Sequence, residues 1–548
     1  MTHKILKIHP KDNVLVALKD LEKGEVIHFE GKEIILTHAV KAKHKFAEES
    51  LATEEEIFMY GIICGKAMSP IAKGEVLTTE NVAHKTSAFT GKRESKTWHA
   101  PDISKWNKRN FMGYHREDGQ VGTANYWLVI PLVFCENRNI EIMKDAFIEE
   151  LGFAKPNKYK AFVKQMRELY AQGNKQKIAA LNVETIDQDQ KNRIFKNIDG
   201  IKFLTHQGGC GGIRQDSEML CALIAGYINN PNVAGATILS LGCQNAQPAI
   251  LEEKLKKINP ELKKPVLLFE QQKEGTEERL LTNAIQKTFL ALTEADQISR
   301  KPAPLSKLTV GLECGGSDGF SGISANPAVG HASDLLVALG GKTILSEFPE
   351  LCGVEQELIN RCTTDESAEK FVSLMRAYAA SAEAVGSGFD MNPSPGNIKD
   401  GLITDAMKSA GAAKKGGTSP IEDVLDYAEY VTKPGLNLLC TPGNDVESTT
   451  AMAGSGANVI LFTTGLGTPT GNPVTPVLKV SSNHSLAERM SDIIDINTGG
   501  VISGDKTIEQ MGEEILEHII EVASGNLKAK AMELNQDDFI PWKRGVSL

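Results

Sequence analysis

Two glycine-rich stretches hold most of the chain's potential chemistry. His206-Gln-Gly-Gly-Cys210-Gly-Gly sets an imidazole and a thiol in a loop so poor in side chains that a backbone or a ligand must approach it closely. An imidazole there can serve as base, acid or metal ligand. The second stretch, "CGGSDGFSGISANP", offers Ser317, Asp318, Ser321 and Asn326 as short hydrogen-bonding groups on exposed backbone, which suits a polyhydroxylated ligand. "FTTGLGTPTGNP" leaves an apolar run at Thr463 and Thr464 and could cradle an anion, although it is neither a Walker loop nor a dinucleotide fingerprint. "NPSPGN" and "TPGND" end on Asn397 and Asp445, and each taken singly also reads as a plain turn. Lys408 could pair with a substrate carboxylate or simply be solvated, and the isolated His44 fits a surface or structural role.

Such residues need elements to aim them. Apolar runs of strand length alternate with amphipathic stretches such as Glu277 to Ala295, a pattern that predicts α/β architecture with largely parallel sheets. The runs are Tyr126 to Phe134, Ile201 to Thr205, Ala236 to Leu241, Val266 to Phe269, Leu308 to Leu312, Lys342 to Ser346 and Asn458 to Thr464. Cys135, His206 with Cys210, Cys243, Cys314, Glu347 and Thr463 with Thr464 fall at or just past their ends. Ligands of open α/β sheets sit outside the carboxyl ends of the strands, so one pocket could gather all of these groups. Cysteine also packs well at crowded strand ends.

Residues 1–85 alternate β-favouring runs with turn signals and predict a small all-β domain; 86–107 read as a polar linker. Residues 108–298 and 299–548 then read as two α/β domains, the boundary falling in the proline-containing stretch Gln297 to Leu305.

A chain of 548 residues needs more than one core, and 41% hydrophobic with 24% charged residues describes a globular protein. A net charge of -10 leaves no broad basic face, so nucleic acid is not an expected partner. No uncharged apolar run reaches membrane-spanning length and the first residues lack a signal-peptide core, so no membrane association and a cytoplasmic location are expected. Nine cysteines without framework spacing fit free thiols.

At these loops, and along the chain from about residue 4 to its last residues, the sequence resembles the altronate and galactarate dehydratase family. The resemblance is carried by "DNVLVALKDLEKGE", "GYHREDGQVGTAN", "LGCQNAQ", "GLECGGSDGFSGISANP", "SEFPELCGVEQ", "NPSPGN", "KPGLNLLCTPGNDVESTTAMAGSGA" and "FTTGLGTPTG". It implies an N-terminal β-clip domain of the SAF type before two α/β domains. It also implies a hydro-lyase that eliminates water from a small sugar acid, D-altronate to 2-keto-3-deoxy-D-gluconate in hexuronate catabolism, working with a divalent metal, Fe2+ first and Mn2+ second. A homo-oligomer is expected. For that chemistry the candidate catalytic residues are His206, Asp318 and Lys408, and the candidate substrate-binding residues are Asn125, Asn245, Ser317, Asn326, Asn397 and Thr464. Glu80, Cys210, Asp445 and His44 stand as metal ligands.

The chain departs from the family pattern at several charged positions. Thr78-Thr-Glu80-Asn81 stands in place of a His-x-His-Asn stretch, Ala124 and Leu466 in place of arginines, Gln244 in place of an acid, and Ala406 within a segment where acidic residues are usual. A second reading is therefore a catalytically weakened paralogue that binds sugar acids or serves as an assembly partner. A third is an iron–sulfur dehydratase using three of Cys135, Cys210, Cys243 and Cys314.

Overall fold

The computed structural model describes residues 4–94, 97–155, 157–183 and 193–548. Its first region is all β, as the run-and-turn pattern predicts. Ile5–Leu6, Val14–Ala17 and Lys45–Ala47 form one antiparallel sheet, Val26–Phe29 and Lys32–Ile35 a hairpin, and Glu56–Met59, Ile62–Ala67 and Val82–Ala83 a third sheet. Both tight hairpins turn on a pair of positive-φ residues, Glu30-Gly31 and Tyr60-Gly61, the turn whose twist matches that of the flanking strands. Leu15, Ile34 and Phe46 are buried at the centre of this region.

Beyond it lie two parallel sheets. Strands β1 (Tyr126–Pro131), β2 (Gly200–Phe203), β3 (Val233–Ser240) and β4 (Val266–Glu270) form one in the order β2-β1-β3-β4, with helix α1 (Arg214–Asn229) between β2 and β3. Every residue of β1 and of β3 is buried, the mark of parallel strands covered on both faces.

The second sheet has seven strands, all parallel: β5 (Thr309–Cys314), β6 (Lys342–Leu345), β7 (Ile421–Leu425), β8 (Gly435–Leu439), β9 (Val459–Thr464), β10 (Val477–Ser481) and β11 (Ile496–Asn497). Their order is β7-β8-β6-β5-β9-β10-β11. From β5 the chain runs through α2 (Ala325–Ala338) to β6 on one side, whereas β9 leads to β10 on the other. The adjacent strands β5 and β9 are therefore the point where the winding reverses. Loops leaving a sheet in opposite directions open a crevice at the carboxyl ends of such a pair.

Three features add to the sequence reading. Gln297 to Leu305, expected as a boundary, contains the strand Arg300–Pro304 along Asn110–His115; it is an edge strand, where Pro302 and Pro304 remove no needed ladder bond. The linker region is laid along the C-terminal region, with Trp106 buried and its indole N–H donating to Glu517 at 2.9 Å. Strands β7, β8, β10 and β11 were not among the predicted runs, because Glu422-Asp423, Asn437 and Lys479 interrupt their apolar pattern. Among the described residues no helix is long and apolar enough to cross a membrane.

The N-terminal region docks on the loop that follows β5 and on residues 400–401, which precede the helix Asp405–Ala412. The Lys45 ammonium donates to the Gly401 carbonyl at 2.6 Å, and Lys43 reaches both Asp400 at 2.7 Å and Asp318 at 3.0 Å. At Gly322 a Cβ would stand 2.2 Å from the Tyr60 hydroxyl and 2.7 Å from the Gly411 backbone, so this seat admits no side chain. Gly322→Ala is expected to destabilise the docked state by about 1–3 kcal/mol, the usual cost of overpacking. Differential scanning calorimetry would show it as a lower first transition, and an unchanged thermogram would refute the tight seat.

Candidate active site

The crevice between β5 and β9 is floored by buried charge. Glu313 and Cys314 end β5, Glu347 and Glu350 follow β6, Lys408 lies on helix α3 (Asp405–Ala412), Lys415 follows it, and Asp445 starts helix α4 (Asp445–Gly454) after β8. The Lys415 ammonium donates to the Cys314 thiol sulfur at 2.6 Å and to Glu347 Oε2 at 2.9 Å, with lysine and glutamate side chains both 1% exposed. Lys408 meets Glu350 Oε1 at 2.6 Å and donates to Asn392 Oδ1 at 2.6 Å. Glu313 Oε2 accepts from Ser448 at 2.7 Å and from Ser346 at 3.2 Å. Glu313 Oε1 and Glu347 Oε1 are buried and have no hydrogen-bond partner. Glu347 itself sits at φ 64°, a left-handed conformation unusual for a side chain of this kind, held at the turn that aims it back over Cys314.

Glycine makes room for this packing. A Cβ on Gly315 would lie 2.2 Å from Asp445 Oδ2, and one on Gly465 would lie 2.1 Å from Asp318 Cγ. Small residues after β5 and β9 are thus what allow two carboxylates to stand against the backbone of the crevice.

Burial and mutual repulsion set the protonation of the cluster. Burial, then the Glu347 charge, push Glu313 well above the usual carboxylate range. Burial, then Glu350, raise Glu347, while Lys415 opposes the rise. Burial, then the charges of Glu347 and Glu350, raise Asp445 to about 7. Glu350 is the exception: against the cost of burial, Lys408 and then Lys415 hold it low. Burial also lifts the Cys314 thiol, so the neutral thiol faces the charged Lys415, which the neighbouring acids hold protonated against its own burial.

The expected site residues separate onto two sheet edges rather than one pocket. Lys408 and Asp445 belong to the acid cluster. Ser317, Asn326, Asn397 and Thr464 frame the loops around it: Asn397 donates to the Ser317 carbonyl at 2.8 Å, Asn326 accepts from Thr463 at 2.6 Å, and Thr464 accepts from the Gly467 N–H at 2.9 Å. Asp318 is saturated by Phe320, Ser321, Ser482, Asn483 and Lys43, so it fastens loops together. His44 lies on the docked N-terminal region with Nε2 3.1 Å from the Lys399 carbonyl, and burial lowers its pKa. Glu80 is exposed in a turn.

The remainder stand in the second region. His206 is buried and held neutral: Nε2 donates to the Pro131 carbonyl at 2.7 Å, Nδ1 accepts from Gly208 at 3.1 Å, and burial drops its pKa to about 4. It lines a cavity of about 550 Å³ with Cys210 and Trp542. Asn125 is buried on Arg116 at 2.8 Å, and Asn245 is exposed.

Among the described residues two groups of three donors lie within 4.8 Å of one another, Cys314, Glu347 and Glu350, and Glu313, Glu347 and Asp445. Of the four expected metal ligands, only Asp445 is in either group. Glu313, Glu350 and Lys415 were not foreseen. The available signal was Glu313, a carboxylate inside the otherwise apolar strand Thr309–Cys314.

Residues 3–85 match the altronate/galactarate dehydratase SAF domain model, 113–296 the second-domain model of D-galactarate dehydratase/altronate hydrolase, and 305–547 the C-terminal model of D-galactarate/altronate dehydratase. The chain is 35% identical to an altronate dehydratase of Bacillus subtilis (strain 168) over 95% of each chain. It is 32% identical to an altronate dehydratase of Escherichia coli (strain K12) over 99% of each. It is also 29% identical to the beta subunit of a (2R)-sulfolactate sulfo-lyase of Chromohalobacter salexigens, over 79% of this chain and 97% of that one.

Lys415→Met would leave Glu347 buried without its cation. The expected loss is about 3–5 kcal/mol, as for other broken buried pairs, and adding Glu347→Gln should recover part of it. Urea denaturation of the single and double variants measures both effects; equal midpoints for wild type and Lys415→Met would dismiss the pairing.

Proposed function

The chain belongs to the D-galactarate/altronate dehydratase family, and on that premise we propose that it is a hydro-lyase removing water from a sugar acid, with D-altronate as substrate and 2-keto-3-deoxy-D-gluconate as product. The observation that supports this reading best is the buried acid cluster at the winding reversal, with two carboxylate oxygens left unpartnered. Elimination needs a group that removes a weakly acidic proton beside a carboxylate, a proton for the departing hydroxyl on the next carbon, and positive charge near the acid.

A divalent cation, Fe2+ or Mn2+, fits the residues present. Glu313 and Glu347 would hold it through the unpartnered oxygens, and carboxylates suit such hard or intermediate cations. When bound, it supplies Lewis-acid stabilisation of the enediolate formed from the substrate acid.

The chain's own groups supply the rest. Asp445 is less buried than Glu313 and Glu347, reaches the crevice past Gly315, and is poised near neutrality, where a general base works best. Its carboxylate takes the C2 proton and hands that proton to the hydroxide leaving C3, so water departs and the enol becomes the 2-keto acid. Lys408, with a side chain 10% exposed and held protonated by Glu350, attracts the substrate carboxylate. Glu350 and Lys415 keep the neighbouring charges in place.

Anaerobic assay with Fe2+ or Mn2+ should yield 2-keto acid from D-altronate faster than from galactarate, and chelation should abolish it. Asp445→Asn is expected to lower kcat by about 10²–10⁴-fold, the range for a lost general base, with the fold retained. Lys408→Met should act mainly on KM. Sulfite release from (2R)-sulfolactate with no 2-keto acid from either sugar acid would overturn the assignment, and binding of sugar acids without turnover under any metal would favour the weakened paralogue.

A further inference from the structure

The four-stranded sheet carries its own set of reactive groups at its carboxyl edge. Its strands β2, β1 and β3 are neighbours and parallel, and just beyond their ends the chain places Cys210, Cys135 and Cys243 respectively. All three thiols are free and exposed, whereas the other six cysteines are buried.

The three loops are tied to one another. The Phe134 N–H donates to the Gly208 carbonyl at 3.1 Å and the Ala246 N–H to the Gly209 carbonyl at 3.0 Å, so the Cys210 loop spans the other two. Gln272, just past the fourth strand, donates to the Cys243 sulfur at 3.3 Å. Next to Cys135, Glu136 is fully buried and its Oε1 has no hydrogen-bond partner. The 550 Å³ cavity that includes Cys210 and His206 adjoins this edge.

Exposed thiols from three separate loops at one sheet edge have little value for packing. A single ion would need them closer: zinc–thiolate bonds of about 2.3 Å put tetrahedral ligands roughly 4 Å apart. Among the described residues no donor group within 4.8 Å includes any of these three thiols. A multinuclear cluster holds its thiolates farther apart, because its own irons and sulfides lie between them. We propose that Cys135, Cys210 and Cys243 bind an iron–sulfur cluster of the four-iron type, leaving one iron corner without a protein thiolate. The three loops contain no fourth cysteine, so that corner is open to a hydroxide or carboxylate oxygen. This site is separate from the acid cluster of the seven-stranded sheet, and the proposal does not rest on the dehydratase reading.

The test uses the full chain, reconstituted anaerobically with ferrous iron and sulfide, and reads bound iron, acid-labile sulfide and visible absorption. Roughly four irons and four sulfides per chain are expected, with a brown chromophore. Cys135→Ser, Cys210→Ser and Cys243→Ser should each reduce bound sulfide at least tenfold while circular dichroism stays unchanged; alanine at the same positions replaces any serine variant that misfolds. Cys64→Ser is the control, since that buried thiol donates to the Met59 carbonyl and a hydroxyl can do the same. No bound sulfide, iron bound without sulfide, or a cluster that survives loss of the three thiols overturns the proposal.

Discussion

Unbalanced buried charge is the constraint on which the C-terminal region is built. Four carboxylates, Glu313, Glu347, Glu350 and Asp445, share the edge of one sheet with two ammonium groups, Lys408 and Lys415. Each uncompensated ion in such a place costs several kcal/mol, so two of the acids must take up a proton or a cation. Glu350 and Glu347 hold the lysines, while Glu313 and Asp445 are pushed towards the neutral form. A site with this balance gains stability from an added positive charge, and only with such a charge in place would it stabilise, rather than repel, negative charge developing on a bound acid.

Backbone exposure around this cluster follows from that constraint. Polar groups after β5 and β9 must come close without side chains intervening, hence Gly315 against Asp445 and Gly465 against Asp318. Asp318 in turn receives Lys43 from the N-terminal region, which couples the docking of that region to the same loop. The small β region is therefore fastened to the loop that leaves β5. Its tight hairpin at Tyr60 puts a hydroxyl against Gly322, eight residues beyond Cys314 in sequence.

The sequence showed the fold class and most of the parallel strands, because buried strands such as Tyr126–Pro131 are continuous apolar runs. It did not show Val477–Ser481 as a strand, since Lys479 looks like a surface residue; the fold buries it, and its pKa falls to about 8. The site was legible as loops at strand ends but not as a charge network. Asp318 and His206 stand in conspicuous motifs, yet their polar atoms are spent on loop closure. Lys415 and Glu350 sit in plain surroundings, and only tertiary packing brings them together around Cys314. Partner identity is a long-range property that short windows cannot reveal.

The departures from the family pattern fall at separate places in the fold. Thr78 and Glu80 lie in a turn where Asn81 accepts from the Thr78 N–H, a closed local arrangement. Gln244 accepts from Gly242 and donates to Ser240 and to the Ala246 carbonyl, so its amide uses both polarities where a carboxylate could only accept. The Ala124 carbonyl accepts from Arg116, which leaves a guanidinium close to that position. Ala406 is buried beside Cys64, whose thiol donates to its carbonyl, and Leu466 packs near Gly316. None of these replacements falls on Glu313, Glu347, Glu350, Lys408, Lys415 or Asp445. The six ionisable groups of the crevice are thus untouched, while Ala406 stands on the helix that carries Lys408, where the family pattern has acids.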